Sequence, residues 1–293
     1  MDKKKDEIIK LLPLDIRKLF KFCDIEFSKL QEIRLRVNMP IMILYDSMEY
    51  FISCRGEMTK ERKNGYRVSC AQIKEAMVYI SNYSRYAFEE EIRQGFITVE
   101  GGHRVGVAGK IIWDSGKIRN ISYISFINIR VSHEVIGCAR GVMRYLRDES
   151  EFFNTLIISP PGGGKTTLLR DLIRQVSDGW KIAGSGGSEV WIPPMTVGGV
   201  DERSEIGACF QGVPQNDLGS RTDILDCCPK ALGMMMLIRS MSPQVVAVDE
   251  IGSREDLEAL EYVMNCGCRV MATVHGTSLE DVRMKPVLGK MVE

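Results

Sequence analysis

The sequence predicts two domains: a smaller α+β module over residues 1–148, then an α/β domain built on a parallel sheet over residues 149–293. Three observations carry this. The run SPPGGGKTTLLRD lies between an apolar pentapeptide, TLIIS, and an amphipathic stretch, which reads as strand, glycine loop, helix. Beyond it, short apolar runs alternate with helical patterns, as in parallel sheets covered on both faces. Ahead of it, apolar and polar residues alternate with period two about Gly101-Gly102, the pattern of an antiparallel hairpin.

Taken in order, IIKLL and IRKLFKF space their apolar residues as short helices do. In residues 30–46, Ile33, Leu35 and Val37 alternate with Arg34 and Arg36, a half-buried strand, and IMILY after Pro40 is a second. Residues 71–95 read as one long amphipathic helix closed by Gly95. FITVEGGHRVGVAGKII is the hairpin, and SFINIRVSHEV adds a strand. MRYLRDESEFFN reads as a short amphipathic helix and linker, placing the boundary near residue 148. TLIIS, TVGGV, VVAV and RVMATV are the buried strands of the second domain. Between them, WKIAGSGGSEVWIPP (residues 180–194) reads as a glycine- and serine-rich surface loop. Met234, Met235 and Met236 read as core on a buried helix.

Composition narrows the function classes. Hydrophobic residues are 44% and charged residues 27%, an ordinary soluble balance. Lys+Arg and Asp+Glu are both 39, which disfavours bulk capture of nucleic acid by charge. The nine cysteines are odd in number and form no C-x-x-C pair, so reduced thiols are expected rather than a disulfide framework or a zinc finger. The N-terminus is charged and then only briefly apolar, unlike a signal peptide, and no run reaches membrane-spanning length. The expectation is a cytoplasmic protein, at most peripheral to a membrane.

The glycine loop satisfies the end of GxxxxGK[ST] with Gly164, Lys165 and Thr166, while Ser159 stands where the first glycine belongs. Backbone amides of the second half of such a loop cradle phosphate, so a serine at the strand exit is tolerable. The expected nucleotide cradle is Ser159, Pro160, Pro161, Gly162, Gly163, Gly164, Lys165, Thr166 and Thr167. Lys165 supplies a charge for the β- and γ-phosphates, and the Thr166 hydroxyl a ligand for Mg²⁺. VVAVDEIG is a buried strand ending in acid: Asp249 can hold Mg²⁺, and Glu250 can orient or deprotonate the attacking water. This makes the domain a P-loop NTPase of RecA-like type.

Two further strand ends are candidates. TVGGVDERSEI delivers Asp201, Glu202 and Glu205, with Glu202 a rival to Glu250 as the base. RVMATVHG delivers Thr273 and His275, either of which could sense the γ-phosphate. The plainer readings are a solvated charge network and a structural histidine. Arg221 is either a finger reaching a neighbouring subunit's nucleotide or a surface partner of Asp223 or Asp226. Arg34, Arg36, Arg104 and Arg130, on the first-domain strands, are candidates for acting across an interface, or simply solvated strand faces.

SPPGGGKTTLLRDLIRQ, VGGVDERSEI, GVPQNDLGSRTDILDCCPKALGMMMLIRSMSPQVVAVDEIG and ATVHG, with EIRLRV, GFITVEGGHRVGVAGK and INIRVSHEV, together resemble the stage III sporulation protein AA family of endospore-forming bacteria. That family is similar to type II and type IV secretion ATPases. The resemblance implies ATP over GTP, in line with the lack of a guanine-reading NKxD motif. It implies an acidic box at Asp201, Glu202 and Glu205, a Walker B pair at Asp249 and Glu250, and a histidine box at His275. It also implies a hexameric ring, peripheral at the mother-cell face of the membranes around the forespore, serving membrane proteins of a channel complex. Departures are Ser159, residues 180–194 and the stop at KPVLGKMVE, where the resemblance implies further strands, so the extreme C-terminal strands of the domain over residues 149–293 are expected to be missing. Two other readings stand beside this one. A nucleic-acid-binding ATPase would use the basic strands EIRLR and GGHRV, against neutral charge and sparse aromatics. A nucleotide-dependent switch would turn over little.

Overall fold

A computed structural model describes residues 3–82, 95–114, 116–147, 151–183 and 189–291. The chain divides into two compact units, Met1–His133 and Glu134–Glu293.

The first unit opens with two short helices, α1 (Lys3–Ile9) and α2 (Leu14–Phe22). Strands β1 (Leu30–Arg36), β2 (Met42–Tyr45), β3 (Met48–Ile52) and β4 (Met58–Thr59) follow, then helix α3 (Cys70–Ile80). Strands β5 (Phe96–Val99), β6 (His103–Asp114) and β7 (Lys117–Arg130) complete it. The seven strands form one antiparallel sheet in the order β4-β3-β2-β1-β7-β6-β5. Alternation does what the sequence implied. Ile33 and Leu35 of β1, Val105 and Val107 of β6 and Ile127 and Ile129 of β7 are buried, while Arg34 and Arg36 are not.

IMILY is β2, as expected; β3 and β4 were not legible. β2 and β3 are joined through Asp46 and Ser47, both at positive φ, 49° and 63°. That is the backbone of a two-residue hairpin turn, made here without the glycine that would signal it. The helix expected over residues 71–95 begins as expected, with a capping box between Ser69 and Gln72. It ends at Ile80: the Ser81 hydroxyl donates to the Met77 carbonyl at 2.7 Å and Asn82 turns at φ 45°. The rest of that expectation, residues 83–94, lies outside the described residues.

The second unit runs β8 (Thr155–Ser159), α4 (Lys165–Asp178), β9 (Trp180–Ala183), β10 (Glu189–Ile192), β11 (Val197–Asp201) and β12 (Thr222–Asp226). Then come α5 (Lys230–Met241), β13 (Val245–Val248), α6 (Arg254–Asn265), β14 (Arg269–His275) and the short α7 (Leu279–Arg283). Five strands form an all-parallel sheet in the order β12-β11-β13-β14-β8. Both faces are covered. Val245, Ala247 and Met271 pack with Leu169, Leu172, Ile173 and Val176 of α4. Val246, Val248, Val270 and Ala272 pack with Leu237 of α5 and Leu257, Leu260 and Val263 of α6. Double burial is why these strands read as unbroken apolar runs.

Three expectations are corrected here. The boundary falls after His133, not near residue 148, because Ala139, Met143, Leu146 and Phe152 belong to the core beneath α4. Residues 143–145 form only a 3-10 turn, and the buried Asp171 carboxylate accepts from the Ala139 amide at 2.8 Å. The stretch 180–194 is no simple surface loop: β9 and β10 pair as a hairpin whose ends, Trp180 and Ile192, are buried. Its GSGGS segment, residues 184–188, lies outside the described residues. Of the three adjacent methionines only Met234 is buried, Met236 being exposed, because successive helix positions point about 100° apart. The cysteines are free thiols, and burial pushes Cys209 up to about 12.

Candidate active site

A parallel sheet brings the C-terminal ends of its strands to one edge. Here β8, β11, β13 and β14 end at Ser159, Asp201, Val248 and His275. The strand of the glycine loop and the strand of the acidic pair are not neighbours, since β14 lies between them.

The loop leaves β8 through Ser159, Pro160 and Pro161. Gly162 and Gly164 adopt positive φ, 75° and 83°, which a side chain would strain, and the space around both positions is open. Gly163 is crowded for a different reason. A Cβ there would lie 2.1 Å from the Ser159 hydroxyl, so the serine that replaces the loop's first glycine leans over the third one. Helix α4 starts at Lys165 with Gly164 as its cap and no side chain on its first amides. Those amides and the helix dipole are free to face an anion.

The acidic pair follows β13. The Thr166 hydroxyl donates to Asp249 Oδ2 at 2.6 Å. The fully buried Thr273 hydroxyl donates to Asp249 Oδ1 and accepts from the Glu250 amide at 2.9 Å. Thr273 therefore clamps the acidic turn. Glu250 itself sits at φ 54°, an unusual conformation for a side-chain-bearing residue and a mark of a constrained site.

Glu250 gathers two cationic groups and a histidine. Lys165 Nζ is 2.6 Å and His275 Nε2 2.9 Å from its Oε1, while Arg203 Nη1 is 2.8 Å from Oε2. Burial pushes this carboxyl up, but Lys165, by hydrogen bond and charge, with His275 and Arg203, outweighs it and holds Glu250 below the ordinary glutamate range.

The acidic turn after β11 divides its carboxylates among different tasks. Asp201 is buried and accepts from the amides of Glu205, Ile206 and Gly207, each at 2.8 Å. Burial nonetheless pushes it up to about 6. It shapes the turn and does not face the Lys165 cluster with its carboxylate free. Glu202 is paired with Lys230 at 2.8 Å, and Lys230 also donates to the Glu250 carbonyl at 3.1 Å. Arg170 of α4 ties the turn down by donating to the carbonyls of Glu205 and Ile206 at 2.8 and 3.1 Å.

The structure thus brings Lys165, Thr166, Asp249, Glu250 and His275 together. It sets Thr167 apart, in a small groove with Glu134, Arg170 and Asp217. Arg221 pairs with neither Asp223 nor Asp226; it donates to the Ser177 carbonyl at 3.2 Å and the Ser220 hydroxyl at 3.0 Å. Sequence reasoning missed Arg203 and Lys230. The one available signal was Lys230 in the first turn of a helix, where the dipole favours acids and a base needs a reason.

The family model "Sporulation stage III, protein AA" matches residues 2–293. The chain belongs to that family. It is 38% identical over 289 residues to the stage III sporulation protein AA of Bacillus subtilis (strain 168), covering 98% of this chain and 87% of that one. Among solved structures, the family member is similar to the ATPase DotB of Legionella pneumophila. The TM-score is 0.55 at 14% identity, over 93% of this chain and 68% of that one. It is also similar to the pilus retraction motor PilT with bound ADP. Here the TM-score is 0.58 at 15% identity, over 94% and 69%. At such identities the likeness shows a shared fold: a P-loop parallel-sheet domain preceded by a smaller α+β domain.

Proposed function

We propose that this family member binds ATP with Mg²⁺ and hydrolyses it, as the energiser of a sporulation channel complex between mother cell and forespore. The single observation that carries the reading is the junction of loop and acidic strand end: Lys165 on Glu250 and Thr166 on Asp249. A hydroxyl and a carboxylate that close are the hard oxygen donors Mg²⁺ prefers, so Thr166 and Asp249 would hold it. When bound, the ion supplies charge neutralisation on the phosphates.

The cradle of residues 159–167 binds the phosphate chain through its amides, with Lys165 turning from Glu250 to the β- and γ-phosphates. That turn frees Glu250, which then orients the attacking water and accepts its proton at Oε1 or Oε2. Glu250 is the better base than Glu202, whose carboxylate is neutralised by Lys230. His275 and Arg203, released from the same carboxylate, face the γ-phosphate. By likeness to the secretion-type fold, we propose a hexameric ring, cytoplasmic and peripheral on the mother-cell side, working on membrane proteins of the complex. A switch reading is favoured by one observation: with Lys165, His275 and Arg203 on it, Glu250 is a poor proton acceptor until nucleotide arrives.

The test is Mg²⁺-dependent ATP hydrolysis across a protein concentration series, with Lys165→Ala and Glu250→Gln alongside. Activity per subunit that climbs with concentration and is lost in both variants supports an assembled ATPase. Tight binding with flat, negligible turnover supports the switch and sinks the motor.

A further inference from the structure

In the antiparallel sheet, β5 pairs with β6 only as far as Gly106, and β1 pairs with β7 only from Phe126 onward. From Lys110 to Ser122 the two long strands, among the described residues, form ladder pairs only with each other. They form a two-stranded arm that leaves the sheet and runs roughly 15 Å, at about 3.3 Å per residue. Its root is built to bend. The register slips between Ala108 and Lys110, and Tyr123 opposite takes φ 47°. A Cβ on Gly109 would lie 2.6 Å from the Ser122 carbonyl oxygen. Bulges with a close-packed glycine re-aim a strand.

The arm is amphipathic. Ile111 pairs with Ile121 and Trp113 with Ile118, which puts four apolar side chains on one face. Lys110 pairs with Ser122 and Ile112 with Asn120 on the other. The apolar face is largely uncovered: Trp113 is 67% exposed, Ile111 45% and Ile118 40%, with Ile121 half-buried, and Ile112 on the other face adds a further exposed side chain. A lone two-stranded ribbon is marginal in water, so a largely uncovered apolar face on one calls for a partner surface. The charge of the segment says which. Lys110, Lys117 and Arg119 stand against Asp114 alone, in a chain whose formal net charge is zero. Tryptophan and tyrosine prefer the lipid–water boundary, and basic side chains beside an apolar face prefer anionic headgroups.

We propose that the arm of residues 110–123 docks on an anionic lipid bilayer, laying Ile111, Trp113, Ile118 and Ile121 into the headgroup boundary. The inference rests on the peripheral placement proposed above, and not on the ATP chemistry.

The test is co-flotation of the full chain with vesicles of phosphatidylglycerol and phosphatidylcholine, with ATP turnover read on the same samples. Wild type is expected to float with the mixed vesicles, to float poorly with phosphatidylcholine alone, and to release as salt rises. The pair Ile111→Asp and Trp113→Asp is expected to lower vesicle affinity at least about tenfold, the change for losing one buried aromatic. Lys110→Glu should weaken binding less while leaving the apolar face intact. Turnover and circular dichroism should match wild type in each, and Lys165→Ala should float normally. Absence of wild-type flotation at low salt overturns the proposal, as does flotation undiminished in the double variant. A fall in solution mass in that variant, without lipid, overturns it in favour of a face that buries a second copy. Loss of turnover with flotation intact would instead count against the ATPase reading alone.

Discussion

The two sheets of this chain treat their faces in opposite ways. The parallel sheet is sandwiched, with one apolar cluster against α4 and another against α5 and α6, so its polar groups can emerge only at strand ends. The antiparallel sheet buries alternate residues and leaves the others in solvent, so it can project an arm of β6 and β7 with an apolar face uncovered. The lesson is about where chemistry can sit. Covered parallel strands concentrate charge at one edge, which suits a reacting site; half-covered antiparallel strands spread residues over a surface, which suits docking.

The sharpest way to break this comparison is at the strand ends. Lys165→Ala is expected to cut ATP turnover by about a hundredfold to a thousandfold, the size of losing one positioned charge on the transferred group. Hydrolysis assays check it, and arm variants should leave turnover untouched. A comparable loss from an arm variant would mean that the two regions do not divide the work.

The next effect is structural. Asp201→Ala leaves the amides of Glu205, Ile206 and Gly207 without their acceptor in a buried turn. The expected cost is about 3 kcal/mol, at ~1 kcal/mol or more per orphaned amide. Urea unfolding of the second unit, read by hydrogen exchange, measures it.

Acid separates the units further. In the first unit His103 is fully buried; its Nδ1 accepts from the Ser132 amide at 3.0 Å and its Nε2 lies 3.5 Å from Glu7. Burial, helped by Lys4, His133 and Lys10, pulls it down to about 4. The unfolded chain, near 6.5, takes that proton first, so the first unit loses stability as pH falls from 6.5 toward 4. Asp201 has the opposite sign. With its folded value raised to about 6, its contribution is complete below the ordinary value near 3.8 and is lost as pH rises through 6. Between those limits the two units should slope in opposite directions, each by up to about 3 kcal/mol. Peptide-resolved hydrogen exchange, corrected for intrinsic rates, tests this. His103→Asn and Asp201→Asn should each flatten one slope only, and a shared slope would sink the assignment.

The smallest effect should show no difference at all. Ser69 caps α3 and Ser253 caps α6, each in a capping box. Replacing either with alanine should cost about 1 kcal/mol, measured by thermal unfolding, because a cap answers to its own helix and not to the sheet beneath it.

Much was legible from local rules. The glycine loop, the helix after it, the acidic strand end and the alternation of β1, β6 and β7 all follow from backbone geometry and side-chain period. Short-range physics is enough there: positive φ at Gly162 and Gly164 asks for glycine, and burial on both faces asks for VVAV. Ser159, the departure in the loop, stands at the exit of β8, where the sequence put it.

What only the tertiary structure decided is the partnership of side chains after each strand ends. Nothing in DERSE says that Asp201 turns inward to hold three amides while Arg203 turns out to Glu250. Nothing in PKALG says that Lys230 reaches back to Glu202 and the Glu250 carbonyl. The GSGGS composition masked a hairpin anchored by Trp180 and Ile192, and Asp46-Ser47 made a turn without glycine. The reason is common to all four. Composition and period constrain a residue's backbone and its face, but a carboxylate or ammonium chooses among partners far away in sequence, and only the path of the folded chain brings those within reach.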